Sequence, residues 1–188
     1  MKKAILILLV FAAAASPVFA ADILQYPLQL RGGNILIDIG LGYTDWGYST
    51  TWKMKIPPIV ASAEYCLPVG VPVSVGGLFS YSLYDWDYTG GHNWTYTYMV
   101  FAGRGNWHWN LDLSWLDLYT GLNLGYRYFS VDYEGPDKIW ADRYYTWNNS
   151  GLFWGVQGGA HFYFTKYAGF AVEGGWPIYA KVALALKF

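Results

Sequence analysis

The stretch AKVALALKF at residues 180–188 sets Val182, Leu184, Leu186 and Phe188 against Lys181, Ala183, Ala185 and Lys187 in strict alternation. Successive side chains of a strand point to opposite faces, so one face of this segment is apolar and the other can meet water. A tilted strand of about 9 to 11 residues crosses the hydrocarbon core of a bilayer. The same alternation recurs at residues 34–46, 59–67, 73–84, 94–109, 116–129, 151–164 and 169–176. Together the segments predict an all-β fold: an eight-stranded antiparallel up-and-down transmembrane β-barrel, closed by pairing the last segment with the first.

The opposite end of the chain carries an export pattern. Lys2 and Lys3 precede an apolar run from Ala4 to Ala15, and Val18 and Ala20 offer short side chains at a cleavage site. Residues 1–20 therefore read as a signal peptide, which leaves 21–188 as one outer membrane β-barrel domain. The apolar run is too short for a membrane-spanning helix, which needs about 20 residues. Hydrophobic residues make up 54% of the chain, yet no later stretch is long and apolar enough to span as a helix. Strands that place apolar residues two apart resolve that conflict. Loss of Lys2 and Lys3 leaves ten basic against thirteen acidic residues, a net charge of −3 that argues against a nucleic-acid partner. The single cysteine, Cys66, permits no internal disulfide.

Period two dominates, and no segment has a helical stripe. Pro57, Pro58, Pro68, Pro72, Pro136 and Pro177 fall between the predicted strands, where a missing N–H breaks no ladder. Predicted connections after strands two, four and six are short, whereas 45–58, 85–93 and 130–150 are longer and polar. Short periplasmic turns and long outer loops have this pattern. A soluble barrel rolled the other way would expose its charged face. Here the apolar face carries almost no charge over the middle of the strands, which a water-facing wall would not tolerate. Aromatic residues gather near both strand ends: Trp107, Trp109, Trp115, Phe162, Phe164 and Tyr167 at one, and Trp46, Trp94, Tyr96, Tyr128, Trp154 and Trp176 at the other. Two girdles imply two interfaces.

Arg104 has Trp107 and Trp109 on the opposite face and so points into the lumen, as do Asp38, Glu64, Asp117, Glu173, Arg127, Lys181 and Lys187. Eight strands leave an interior that side chains can fill. A salt-bridge network of Arg104, Glu64, Asp38, Glu173, Asp117 and Arg127 is the expected content, with Glu64 facing Arg104. Gly40-x-Gly42 and Gly103-x-Gly105 read as relief of crowding in a curved wall. His108 and His161 read as buried or interfacial polar residues, and Ser62, Ser74 and Ser80 show no evident histidine partner in the sequence. Serine hydrolysis needs such a pair, so the chain reads as non-enzymatic. No metal site or cofactor is expected either. Trp52, Trp86, Tyr88, Trp140, Tyr144 and Trp147, interspersed with acidic residues in the predicted outer loops, form a possible recognition surface.

The segments GRGNWHWNLDLSWLDLYTGLNLGYRY (residues 103–128) and GGAHFYFTKYAGFAVEGGW (residues 158–176), with the Phe188 ending, resemble the small OmpA/OmpX-like outer membrane β-barrel superfamily. The resemblance implies a barrel alone, without the peptidoglycan-binding domain that follows it in OmpA itself. It implies a monomer in the bacterial outer membrane, in contact with lipid and lipopolysaccharide. Phe188, Leu186, Leu184 and Val182 resemble the terminal signal read by the outer-membrane insertion machinery. The function expected is an envelope structural role or surface-loop recognition and adhesion. A narrow channel or small-hydrophobe transporter is the alternative, and a lipid A-modifying enzyme ranks behind both.

Overall fold

The computed structural model describes residues 30, 32–44, 53–88, 91–109, 111, 113–135 and 150–188, with the side chains of residues 87 and 88 excepted. The predicted signal peptide, and with it Trp46, Trp52, Trp140, Tyr144 and Trp147, lies outside the described residues. Eight strands follow one another as β1 (Ile35–Tyr43), β2 (Lys53–Cys66), β3 (Val73–Tyr88), β4 (His92–Trp109), β5 (Leu116–Glu134), β6 (Gly151–Tyr163), β7 (Ala168–Gly175) and β8 (Ala180–Lys187). Each pairs antiparallel with the next, and β8 returns to β1 to close the barrel. At that seam Ile35 and Phe188 exchange two backbone hydrogen bonds of 2.9 Å each. Closure leaves no sheet edge unpaired, the condition for a sheet to sit in hydrocarbon.

Side-chain direction follows the alternation. In β8, Lys181, Ala183, Ala185 and Lys187 are buried while Val182 and Leu184 face outward. In β5, Asp117, Tyr119 and Asn123 point inward, and Leu122 and Leu124 are exposed by 62% and 69%. Leu152 and Trp154 on β6 are exposed by 84% and 74%, so the outer wall is apolar where it is most open. We call the end holding Phe188 and the Leu67–Pro72 turn the lower rim. Trp107, Trp109, Trp115 and Tyr167 lie exposed there, one girdle of the expected pair.

Three expectations need correction. Pro57 and Pro58 lie inside β2, not between strands. The β1 ladder has ended by Leu41↔Ile59, and the register to β3 shifts between Met54 and Ile56 and again between Ile56 and Ile59. A bulged ladder asks nothing of the missing N–H groups. Secondly, Trp94 and Tyr96 belong to the lumen and not to the upper girdle, since they share the parity of Arg104 along β4 and are buried. Trp176 also packs against the lumen core, which leaves Tyr128 and Trp154 as the outward members among the described residues. Thirdly, Gly103 and Gly105 are not crowded. A Cβ at either would meet nothing closer than 3.8 Å, whereas at Gly42 it would lie 2.7 Å from the Val60 side chain.

The wall has unequal height. Strands β3, β4 and β5 run for 16, 18 and 19 residues, against 9, 8 and 8 for β1, β7 and β8. The expected loop at 85–93 is therefore mostly strand, and Trp86 sits within β3. Along this taller wall the outward residues change character above Leu83, Met99 and Tyr128. Asp85, Thr95 and Asp132 pair side by side across the three strands, and Lys55 bonds Asp85 at 3.1 Å. Above that line the outside is polar while the inside stays aromatic, so the strands continue beyond the apolar belt.

Candidate functional site

The lumen is divided by chemistry. Its upper part is a packed cluster of Val60, Leu78, Tyr84, Trp94, Tyr96, Tyr98, Val100, Phe129, Phe153 and Ile178. At its top Trp86, His92, Trp94 and Tyr133 stack, with ring centroids 4.8 Å apart for Trp86 and Trp94 and 5.0 Å for Trp94 and Tyr133. Its lower part is a closed ring of polar side chains.

The ring starts at Arg104 on β4. Nη2 donates to Glu173 Oε2 on β7 at 2.6 Å, and Nε lies 3.1 Å from Glu64 Oε1 on β2. Glu173 also accepts from Lys181 Nζ on β8 at 3.1 Å and from the Tyr119 hydroxyl on β5 at 2.6 Å. Lys181 reaches on to Asp38 Oδ2 on β1 at 2.8 Å. Asp38 faces His161 Nε2 on β6 at 3.3 Å, and His161 Nδ1 is 2.9 Å from Asp117 Oδ2 on β5. Asp117 accepts from His108 Nδ1 on β4 at 3.0 Å, and His108 Nε2 lies 2.9 Å from the Ser74 hydroxyl on β3. Ser74 donates to Glu64 Oε2 and closes the circuit. Asn106 and Gln157 brace it from within: Asn106 Nδ2 donates to Glu64 at 2.8 Å, and Gln157 Nε2 donates to Asn106 Oδ1 at 2.6 Å.

Every strand supplies at least one member, so the ring is a belt drawn across the barrel. Its ions are almost wholly removed from solvent: Arg104 is 4% exposed, Asp38 3% and Lys181 1%. Removing such charges from water is expensive unless each is paired, and here each carboxylate has at least one donor. Glycine makes the space for it. A Cβ at Gly159 would stand 2.6 Å from the Tyr119 hydroxyl, the group that bonds Glu173. Below the ring a cavity of about 340 Å³ opens at the lower rim, walled by Cys66, Leu67, Pro72, Val73 and His108 among others.

Of the residues expected in the network, the ring brings together Arg104, Glu64, Asp38, Glu173 and Asp117. Arg127 is not among them. It sits higher on β5, level with Val100, with its guanidinium 6.0 Å from the Trp176 ring centre. Arg104 pairs with two carboxylates, the nearer being Glu173 and not Glu64. The reading that Ser74 lacks a histidine partner is overturned, since the closed barrel sets His108 beside it from the neighbouring strand. Ser74, His108 and Asp117 stand in the contact order of a hydrolase triad. Ser74 has no exposed surface, however, and its hydrogen is directed at Glu64, so its hydroxyl is committed to the ring. One signal for the histidines was present in the sequence: His108 is four residues from Arg104 and so shares its face.

Of the recognition candidates, Trp86 faces the upper lumen and packs against its core, not the outside. Tyr88 ends β3, where it pairs with His92.

No protein-family model matches the chain, and no curated protein does either. Among solved structures it is similar to the outer membrane protein OprG from Pseudomonas aeruginosa, at 10% identity and a TM-score of 0.54, over 87% of this chain and 99% of that one. Ail, the attachment invasion locus protein of Yersinia pestis, matches at 12% identity with a TM-score of 0.43, over 85% of this chain and all of that one. The N-terminal β-barrel domain of Pseudomonas aeruginosa OprF matches at 12% identity with a TM-score of 0.42, over 85% of this chain and 100% of that domain. The fold of this chain is thus the closed, eight-stranded antiparallel β-barrel, shared with the outer membrane protein OprG.

Proposed function

We propose that the protein is a non-enzymatic integral barrel of the bacterial outer membrane, with a side-chain-filled lumen and a structural role in the envelope. The observation that carries this reading is the ring from Arg104 round to Glu64, which spans the lumen and draws on all eight strands. The apolar belt of exposed leucine, phenylalanine and tryptophan would meet lipid, and the lower rim would face the periplasm. On the outer side the taller β3–β5 wall would stand above the lipopolysaccharide surface and present the loops, the part suited to recognition or adhesion.

Purified protein refolded into vesicles should migrate differently before and after boiling and should give no ion-selective current steps. Reproducible steps from the monomer would replace this reading with a narrow channel. Assembly gives a second test. Phe188 pairs with Ile35 at the seam, and with Leu186, Leu184 and Val182 it would form the signal for the insertion machinery. Deleting Phe188 should leave protease-sensitive protein in the periplasm, and normal surface levels of the deletion would count against it.

A further inference from the structure

Hydrogen-bond accounting locates the protons of the ring. An ionised carboxylate accepts and cannot donate. His161 presents both ring nitrogens to carboxylates, Nδ1 to Asp117 Oδ2 at 2.9 Å and Nε2 to Asp38 Oδ2 at 3.4 Å. His108 presents Nδ1 to Asp117 at 3.0 Å and Nε2 to the Ser74 hydroxyl at 2.9 Å. That hydroxyl gives its hydrogen to Glu64 and turns its oxygen toward Nε2. Within the ring, Asp38, Glu64, Asp117 and Glu173 meet Arg104 and Lys181, while the lumen cations Lys187 and Arg127 lie below and above it.

The other groups facing the imidazoles leave these hydrogens in place. Tyr119 on β5 stacks on His161 at 4.8 Å and lies tilted against His108 at 5.8 Å, and it donates its hydroxyl hydrogen to Glu173. Tyr163 on β6 stacks on His161 at 5.8 Å. Lys187 on β8 lies at the lower rim with Nζ 4.8 Å from the centre of the Tyr163 ring, and Cys66 on β2 shares the cavity wall with His108. The remaining sides are Ser74 from β3, Arg104 from β4, Glu173 from β7 and Asp38 from β1.

We propose that the plug is a proton-held latch: the ring closes with hydrogen on both nitrogens of His161, held between Asp117 and Asp38, and loses its closure when that proton is withdrawn. An imidazolium held between carboxylates stabilises the fold at low pH, and that contribution is lost as the pH rises and the proton leaves. The cavity walled by His108 would let water exchange the proton from the lower mouth. The inference rests on the closed-lumen reading, which the conductance experiment tests by itself.

The direct measurement is nitrogen NMR of the full chain, labelled at histidine and refolded in detergent or vesicles. At pH 7 both ring nitrogens of His161 should show protonated signatures, assigned by comparison with the His161→Gln variant. An unprotonated imine nitrogen from His161 overturns the proposal. Urea unfolding from pH 6 to pH 10 is the second arm. The wild-type midpoint should fall across that range, while that of His161→Gln should start lower and stay flat. His92→Gln, outside the ring, should keep the wild-type slope. Parallel slopes in wild type and His161→Gln would overturn the latch. Current steps at pH 7 would defeat the closed lumen whatever the nitrogens show.

Discussion

The two halves of the lumen are made on the same strands from opposite chemistry. Above, Tyr98, Val100, Phe129 and Phe153 fill the space by shape, and their neighbours are apolar surfaces that tolerate small adjustments. Below, Arg104, Glu173, Lys181, Asp38 and the two histidines fill it by pairing, group to group around the ring. Loss of packing in the aromatic half is graded, because the cost follows the volume removed. Loss in the charged half is abrupt, because removing one partner leaves the other buried without compensation. The ring therefore contributes specificity of closure, and the aromatic cluster contributes most of the apolar burial.

The largest effect should come from the ring. Arg104→Ala should lower stability against urea by about 3 to 5 kcal/mol, the usual cost of stranding a buried charge. Among the described ion pairs Glu64 has Arg104 as its cation, while Glu173 keeps Lys181. Adding Glu64→Ala should accordingly recover more of the loss than adding Glu173→Ala. Equal behaviour of the two double variants would dissolve the contrast between paired and packed halves. Next comes the aromatic half. Phe129→Ala should cost about 3 kcal/mol through a cavity, and Phe129→Leu clearly less. Its cost should be the same at pH 6 and pH 9, unlike a ring variant. A pH-dependent cost at Phe129 would mean that the halves are coupled.

A smaller pair of effects separates the lumen from the outer face. Gly159→Ala should cost about 1 to 3 kcal/mol, since the added Cβ would press on the Tyr119 hydroxyl and the Val172 carbonyl at 2.6 Å each. Gly103→Ala points outward into open space and should stay within about 0.5 kcal/mol of wild type. Similar unfolding midpoints for both variants would show that the ring has slack.

Most of the wall was legible in the chain. Asp38 and Lys181 face inward, and Ile39 and Val182 outward, because a strand of fixed parity leaves no other choice. Errors arose where parity was set aside for composition. Trp94 suits a girdle by type, yet it stands ten residues from Arg104 and shares its face. Trp86 suits a loop by its polar neighbours Asp85 and Asp87, yet β3 continues through it. Pro57 and Pro58 read as breakers, and a bulged ladder accommodated both.

By itself, then, the sequence determined the number of strands, the facing of their side chains and the apolar outer wall. Each of these follows from periodicity along one strand and the near absence of charge on its apolar side. Only the tertiary structure decided which inward groups meet. Asp117 and His161 are 44 residues apart in the chain, and Asp38 and Lys181 are 143 apart. Their contact depends on the stagger of neighbouring strands and on closure of the barrel, which set the height of every side chain in the lumen. Stagger is a relation between strands, and no pattern within one strand records it.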